Sequence, residues 1–256
     1  MRACVFALVI AGVASAASFA AAAADLKTIT VGVHQNMRAV LVTPGDPGPH
    51  SALLVLHTSR GLEGADTAFA ERLAQQGYVS LVPAFLEAYG ITARTRRGTF
   101  TTDAEPIHAD FIAALDTLRH TAAVDGNRLG AIGFSNRGYF ATWLAATGKV
   151  QAAIAYYGAF SGAGSDLDLG RFRANFTPNS APLLILHGTD DHAVPLHLAQ
   201  RLATILAAAG SPYEMQLYPG AEHRFERSPH SDADNATAAN AWQRSLAFLR
   251  AHLKQP

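Results

Sequence analysis

Unbroken apolar runs alternate with amphipathic segments along most of the chain. The run 52–56, Ala-Leu-Leu-Val-Leu, has no polar position, which is typical of a strand buried on both faces in a parallel sheet. Similar β-rich runs predict strands at 28–33, 39–42, 52–56, 78–82, 128–132, 152–156, 183–186 and 213–217. Apolar residues spaced three and four apart predict helices at 65–76, around 111–118, and at 139–146, 195–208 and 236–253.

This alternation predicts an α/β fold, with a mostly parallel central sheet of about eight strands and helices on both faces. Two stretches, 86–105 and 161–180, show no clear period. In α/β sheets such loops often build the substrate site. The first contains Arg94, Arg96 and Arg97, which could bind a substrate carboxylate but are more simply interpreted as a solvated loop.

Length and charge narrow the possible functions. The chain has 256 residues, of which 49% are hydrophobic and 16% charged, enough for one large domain with a well-filled core. We predict a single domain over 25–256, because no change of composition divides this part. The 20 basic and 20 acidic residues cancel. No basic field is present to attract nucleic acid or an anionic membrane, so neither is expected as a partner.

The first residues have the layout of a secretory signal peptide. A short positive start is followed by the apolar run 4–13 and by an Ala- and Ser-rich tract that ends at Ala24. A membrane anchor is the alternative, but the run is shorter than the about 20 apolar residues that a spanning helix needs. We therefore predict that 1–24 is a cleaved signal peptide, with Ala16 as another possible cleavage position, and that the protein is secreted or periplasmic.

A candidate nucleophile lies in the sequence Gly-Phe-Ser-Asn-Arg-Gly at 133–138, between a predicted strand and a predicted helix. A sharp strand-to-helix turn presents a serine hydroxyl, here that of Ser135, at the end of the sheet and near the positive end of a helix. Such turns need small neighbours. Gly133 is one, but Arg137 stands where glycine or alanine is usual, and Gly138 comes one position late. The alternative is a Gly/Ser turn that only joins strand to helix.

A nucleophilic serine needs a base, and the base needs a carboxylate that fixes its orientation. Asp190 and Asp191 both follow the predicted strand 183–186, and either could instead cap a helix. His223 follows the last predicted strand, although it is one of 11 histidines. The chain order serine, aspartate, histidine at successive strand ends is typical of α/β-hydrolases, so we predict a catalytic triad.

The same chemistry needs two N–H donors that are fixed where the oxyanion develops. One is expected to be the backbone N–H of Asn136, directly after the nucleophile. The second should come from the loop after the strand 52–56. Ser59 is the first choice for this donor, with Thr58 and Arg60 as alternatives.

These motifs resemble the dienelactone hydrolase family within the α/β-hydrolase fold, over roughly 29–249. The most specific blocks are His-Gly-x-x-Asp-x-x-Val-Pro at 187–195 and Tyr-Pro-Gly-Ala-x-His-x-Phe at 218–225. The resemblance implies that Asp191, rather than Asp190, is the acid of the triad.

Three positions depart from the family's namesake enzymes. Those enzymes have a cysteine where this chain has Ser135, a glutamate where it has Thr58, and a glycine where it has Arg137. The resemblance therefore implies a general serine carboxylesterase, and the opening of a dienelactone is not inferred.

Neither a metal nor a cofactor is expected. His187, His192 and His197 are five residues apart, a spacing that fits neither one helix face nor one strand face. The single cysteine, Cys4, lies in the predicted signal peptide, so the mature chain is expected to have no disulfide and no thiolate ligand.

Four further residues lie at predicted strand ends near the expected site. His57 and His187 each end a buried strand, and we interpret them as hydrogen-bonding supports rather than bases. Tyr156 and Tyr157 end another strand. One of them could line the pocket, with core packing an equal alternative.

The expected reaction is acyl transfer from a small-molecule ester to water, with Ser135 attacking the ester carbonyl and His223 acting as base. Two alternatives remain. Similar triads serve prolyl-peptidase-like enzymes, although these usually carry an extra domain for which the chain has no room. A non-catalytic binding protein on a hydrolase scaffold is suggested by Arg137, whose size could distort the turn.

Overall fold

A computed structural model describes residues 23–92, 94–95, 98–158, 160, 169–227 and 232–253. The predicted signal peptide lies outside the described residues except for 23 and 24. Arg96, Arg97 and 161–168, from the two stretches without a clear period, also lie outside them. The signal peptide therefore stays a prediction.

The described residues form one eight-stranded sheet, as the apolar runs predict. The strands are β1 (Asp25–Val31), β2 (Met37–Thr43), β3 (His50–Leu56), β4 (Tyr78–Pro83), β5 (Val124–Phe134), β6 (Ala152–Tyr156), β7 (Leu183–Gly188) and β8 (Tyr213–Tyr218). The order across the sheet is β1-β2-β4-β3-β5-β6-β7-β8. β2 runs antiparallel to β1 and β4, and the other neighbours are parallel.

Helices cover both faces of this sheet, which confirms the predicted α/β architecture. They are α1 (Gly64–Ala74), α2 (Phe85–Ala88), α3 (Ala104–Arg119), α4 (Gly138–Ala146), α5 (Leu196–Ala208) and α6 (Asp232–Leu253). Short 3₁₀ turns lie at Gly98–Phe100, Ser135–Arg137 and Arg173–Asn175. Within the described ranges, none of the helices has the length and apolar content that crossing a membrane requires.

Two apolar layers sandwich the sheet. One packs α3, α4 and α5 through residues such as Phe111, Phe140 and Leu202. The other packs α1 and α6 through Phe69 and Trp242. Every position of strands β3, β4, β6 and β7 is buried, because helices cover both faces of the sheet at these strands.

The parallel strands place the predicted site residues at one edge of the sheet. Because β3, β5, β6, β7 and β8 run in the same direction, the residues that follow them meet at their common carboxyl end. The oxyanion loop after β3, Ser135 after β5, Asp191 after β7 and His223 after β8 all lie at this edge.

Candidate active site

Ser135 occupies a strained turn between β5 and α4. Its φ is +56°, in the left-handed region that residues other than glycine rarely adopt, which costs about 1–3 kcal/mol and is found mostly at functional sites. The 3₁₀ turn Ser135–Arg137 leads directly into α4. The hydroxyl therefore lies at the carboxyl end of β5 and at the start of a helix, where backbone N–H groups favour negative charge.

Two glycines allow this turn to close. A Cβ on Gly133 would lie 2.2 Å from the carbonyl oxygen of Arg137, and one on Gly138 would lie 2.7 Å from the Cα of Gly158. The position after the nucleophile at which the turn meets the neighbouring backbone is therefore 138, three residues after Ser135. Arg137 does not disturb the turn, because Gly138 provides the small residue that the sequence suggested was missing.

The side chain of Arg137 is fully buried. Its guanidinium carbon lies 4.8 Å from the centre of the Phe85 ring, a cation–π contact. Among the described residues, no group hydrogen-bonds to its Nε or to either of its Nη atoms. Burial lowers the pKa of Arg137 to about 9. A buried charge to which no described residue hydrogen-bonds is costly, so we expect Arg137 to reduce stability.

Replacing Arg137 by methionine is expected to raise the free energy of unfolding by about 1–3 kcal/mol, because an apolar chain of similar length avoids the desolvation cost. Urea denaturation measures the change. Arg38→Met is the matched control: Arg38 forms an exposed ion pair with Glu87 at 2.8 Å, and its loss should change stability by less than about 1 kcal/mol. A clear loss of stability in Arg137→Met would show that the guanidinium is well compensated.

His223 connects the serine to the carboxylate. It lies in the turn that follows β8, and its side chain is 20% exposed. Its Nε2 lies 3.0 Å from the Oγ of Ser135, and its Nδ1 lies 2.7 Å from Oδ2 of Asp191. An imidazole that donates from Nδ1 and accepts at Nε2 is oriented to take the serine proton.

Asp191 is the aspartate that faces His223. Its carboxylate is fully buried, and its Oδ1 accepts the backbone N–H groups of Ala193 at 2.9 Å and Val194 at 2.7 Å. Asp190 points elsewhere, accepting the hydroxyl of Thr189 at 2.9 Å near the surface. Asp191 thus holds the start of the α5 segment with one oxygen and the histidine with the other.

His57 and His187 both bond to backbone carbonyls, as expected of supports. Nδ1 of His57 donates to the carbonyl of Thr58 at 2.8 Å, and Nε2 of His187 donates to that of Val194 at 2.8 Å. Burial, with a smaller effect of Arg137, lowers the pKa of His57 to about 3. Burial also lowers the pKa of His187. Burial therefore opposes protonation of both rings.

The loop after β3 limits the choice of the second oxyanion donor. The N–H of Arg60 donates to the hydroxyl of Thr58 at 3.4 Å, and that of Gly61 donates to the carbonyl of Thr58 at 3.3 Å. These bonds disfavour Arg60 and leave Ser59 and Thr58 as the candidate donors. The N–H of Asn136 lies in the first helical turn after Ser135, where backbone N–H groups have no acceptor within the helix.

The sequence also contains candidates for a metal site, a group of arginines and a pair of tyrosines. In the described ranges, no three His, Cys, Asp or Glu side chains cluster as metal ligands would. Arg94 is exposed, and its two neighbouring arginines lie outside the described residues. Tyr156 points into the core, where its hydroxyl bonds to Ser245 at 2.7 Å, whereas Tyr157 packs against His223.

Sequence reasoning missed the polar residues that lie around Tyr157. The Tyr157 hydroxyl donates to Glu226 at 2.6 Å, and Arg227 bonds to the same carboxylate at 2.7 Å. The available signal was a charged Glu-Arg pair three and four residues after His223, in the loop that follows the last predicted strand.

The fold and this edge of the sheet define an α/β-hydrolase: a mostly parallel eight-stranded sheet, with a strained strand-to-helix turn carrying a serine. A model of the dienelactone hydrolase family matches residues 37–253. The chain belongs to the dienelactone hydrolase family, and it is a hydrolase of carboxylic ester bonds.

Individual relatives agree with this assignment. A protein of Synechocystis sp. named "Putative carboxymethylenebutenolidase" is 26% identical over 256 residues, covering 90% of this chain and 99% of the relative. The crystal structure of a "Putative Dienelactone Hydrolase" from Klebsiella pneumoniae has a TM-score of 0.69 and 26% identity, covering 89% of this chain and 98% of that one. An esterase from Thermogutta terrifontis, 20% identical with a TM-score of 0.64, covers 88% of this chain and 92% of its own, and shares the fold.

Proposed function

We propose that the protein hydrolyses small-molecule carboxylic esters through an acyl-enzyme on Ser135, with His223 as base and Asp191 as its orienting acid. The observation that carries the proposal is the continuous hydrogen-bond chain. It runs from the serine Oγ to the imidazole at 3.0 Å and from the imidazole to the carboxylate at 2.7 Å. Both distances lie within the range in which proton transfer is efficient.

In the first half of the reaction, Oγ of Ser135 attacks the carbonyl carbon of the ester while Nε2 of His223 takes the hydroxyl proton. The electron pair of the carbonyl moves to its oxygen, which the N–H groups of Asn136 and Ser59 stabilise. When the tetrahedral intermediate collapses, the C–O bond to the alcohol breaks. The imidazolium returns its proton to the leaving oxygen, and the acyl group remains on the serine.

In the second half, a water molecule takes the place of the alcohol. His223 removes a proton from this water as it attacks the acyl carbon, and the proton then passes to Oγ of Ser135 as the acid leaves. The Asp191 carboxylate stabilises the imidazolium that forms. Its two backbone N–H bonds hold the carboxylate in place, so little reorganisation is needed when charge develops.

We also propose that the catalytic domain is exported, as the layout of 1–24 suggests. The mature chain would then begin after Ala16 or Ala24. N-terminal sequencing of protein recovered from the periplasm or medium tests this proposal, and an intact Met1 in that fraction would contradict it.

A substrate panel tests the type of bond that is cleaved. The purified mature chain should hydrolyse p-nitrophenyl acetate and butyrate with saturation kinetics, and should not cleave a blocked prolyl p-nitroanilide at a comparable rate. The described residues form one hydrolase sheet and two helical layers, with no added unit that would screen peptides. Cleavage of the anilide without ester turnover would instead indicate a peptidase.

A further inference from the structure

A buried polar network lies directly behind the proposed catalytic base. The hydroxyl of Tyr157 donates to Oε1 of Glu226 at 2.6 Å, and Nε of Arg227 donates to the same oxygen at 2.7 Å. Nη1 of Arg227 donates to Oδ1 of Asp66 at 2.5 Å. The side chains of Arg227, Glu226 and Asp66 are only 4%, 6% and 0% exposed. Three ionisable groups are thus removed from water within one cluster.

Stability alone explains this network poorly. Burial raises the pKa of Glu226, and its Oε2 has no hydrogen-bond partner within the described part of the chain. Burial also opposes the charge of Arg227, although Tyr157, Asp66 and Glu226 together raise its pKa. Buried ion networks seldom add net stability relative to apolar residues of the same size, so a functional reason is the better explanation.

The network joins the three segments that carry the reaction. Tyr157 meets the ring of His223 edge-on, with 4.6 Å between the ring centres. The guanidinium carbon of Arg227 lies 4.2 Å from the centre of Phe134, the residue before the proposed nucleophile. Asp66 lies in the first turn of α1, shortly after the loop that holds the second oxyanion donor.

The backbone at Tyr157 is itself unusual. Its φ is +38°, a left-handed value for a bulky residue, and its N–H donates to the carbonyl of Leu186 at 2.7 Å. Such strain persists only where the surroundings enforce it, and it occurs mostly at functional sites. Here it turns the tyrosine ring away from the direction taken by Tyr156 and towards the histidine.

We propose that Tyr157, Glu226 and Arg227 are positioning residues for the catalytic base. Tyr157 limits rotation of the His223 ring, Glu226 fixes the tyrosine hydroxyl, and Arg227 anchors that carboxylate to α1. The contact serves both chemical steps, because His223 takes a proton from Ser135 in the first and from water in the second. This inference rests on the proposed function.

The test removes single polar groups and leaves the ring in place. Tyr157→Phe keeps the ring contact with His223 and deletes only the hydroxyl. Glu226→Gln removes the negative charge from the group that accepts this hydroxyl. Each variant should lower kcat for p-nitrophenyl butyrate about tenfold with KM within about threefold of wild type, because a displaced base slows both chemical steps alike. The double variant should be little worse than either single variant, since both act on one contact.

Tyr156→Phe is the matched control. It deletes the hydroxyl of the neighbouring tyrosine, which bonds to Ser245 and to the carbonyl of Ala241 on the α6 side and does not contact His223. It should reduce thermal stability and leave kcat within about twofold of wild type. Turnover is expressed per serine titrated with a fluorophosphonate, so that a loss of folded protein does not count as a loss of rate.

Equal kcat in Tyr157→Phe and Tyr156→Phe, with wild-type enzyme active and labelled at Ser135, would overturn the positioning role and leave the proposed function intact. Wild-type enzyme without turnover or label would instead remove the proposed function. If Glu226→Gln does not fold, the comparison of the two tyrosine variants decides alone. Strict additivity of the two single variants would also contradict a shared contact.

Discussion

Replacement of Ser135 by alanine is expected to lower kcat/KM for a short-chain aryl ester by about 10⁴-fold or more. Without Oγ no acyl-enzyme can form, and the site retains only the weaker help of the oxyanion donors to direct attack by water. The measurement compares p-nitrophenyl acetate hydrolysis by both proteins after subtraction of the uncatalysed rate. Ser135 is 6% exposed and its hydroxyl faces His223, so the fold should tolerate the loss of this one atom.

Ser51→Ala is the matched control for this change. Ser51 is also buried, but its hydroxyl donates to the carbonyl of Leu253 at 3.3 Å, far along β3 from the carboxyl edge of the sheet. This variant should retain wild-type kcat/KM within about twofold and lose at most about 1–2 kcal/mol of stability. If Ser135→Ala keeps wild-type turnover, the assignment of the nucleophile is wrong.

Replacement of Asp191 by asparagine should lower kcat by about 10³–10⁴-fold with little change in KM. The amide oxygen can still accept the N–H groups of Ala193 and Val194, so the local turn should survive. The amide nitrogen would then face Nδ1 of His223 and favour the tautomer with its proton on Nε2. That tautomer cannot accept the proton of the serine.

Asp190→Asn gives the comparison within the same turn. Asp190 accepts only the Thr189 hydroxyl among the described hydrogen bonds, so its neutralisation should leave kcat within about twofold of wild type. Steady-state kinetics at several ester concentrations separate kcat from KM for both variants. Equal losses in the two would mean that the turn as a whole, and not the Asp191 carboxylate, supports the reaction.

The central strands could be predicted because each is marked by an apolar run within its own short sequence. A strand buried on both faces excludes polar residues, and the runs 52–56, 152–156 and 183–186 each lie within a central strand of the sheet. Element ends were harder. β5 begins at Val124, through polar residues that hide its apolar pattern, and α6 begins at 232 rather than 236.

The three principal site residues could be placed because strand ends and chain order constrain them. Ser135 follows β5 and precedes α4, while Asp191 follows β7 and His223 follows β8. The choice between Asp190 and Asp191 needed the family resemblance, since adjacent residues point in different directions and no periodicity separates them.

Long-range contacts explain what could not be predicted. The partnership of Arg227 with Asp66 joins residues 161 positions apart, which no local pattern encodes. The sequence also suggested that the size of Arg137 could distort the turn, because a glycine is usual two residues after the nucleophile. Three-dimensional packing shows that Gly138, and not position 137, meets the neighbouring backbone of Gly158.

The most direct test of the account is covalent labelling of the folded wild-type protein with a fluorophosphonate, followed by intact mass and peptide mapping. Such a probe forms a stable bond only with a serine that an adjacent base activates. We predict one adduct per chain, located on Ser135, and none in Ser135→Ala. Folded protein that stays unlabelled, or that carries the adduct on another residue, would contradict the account and would favour a binding protein on a hydrolase scaffold.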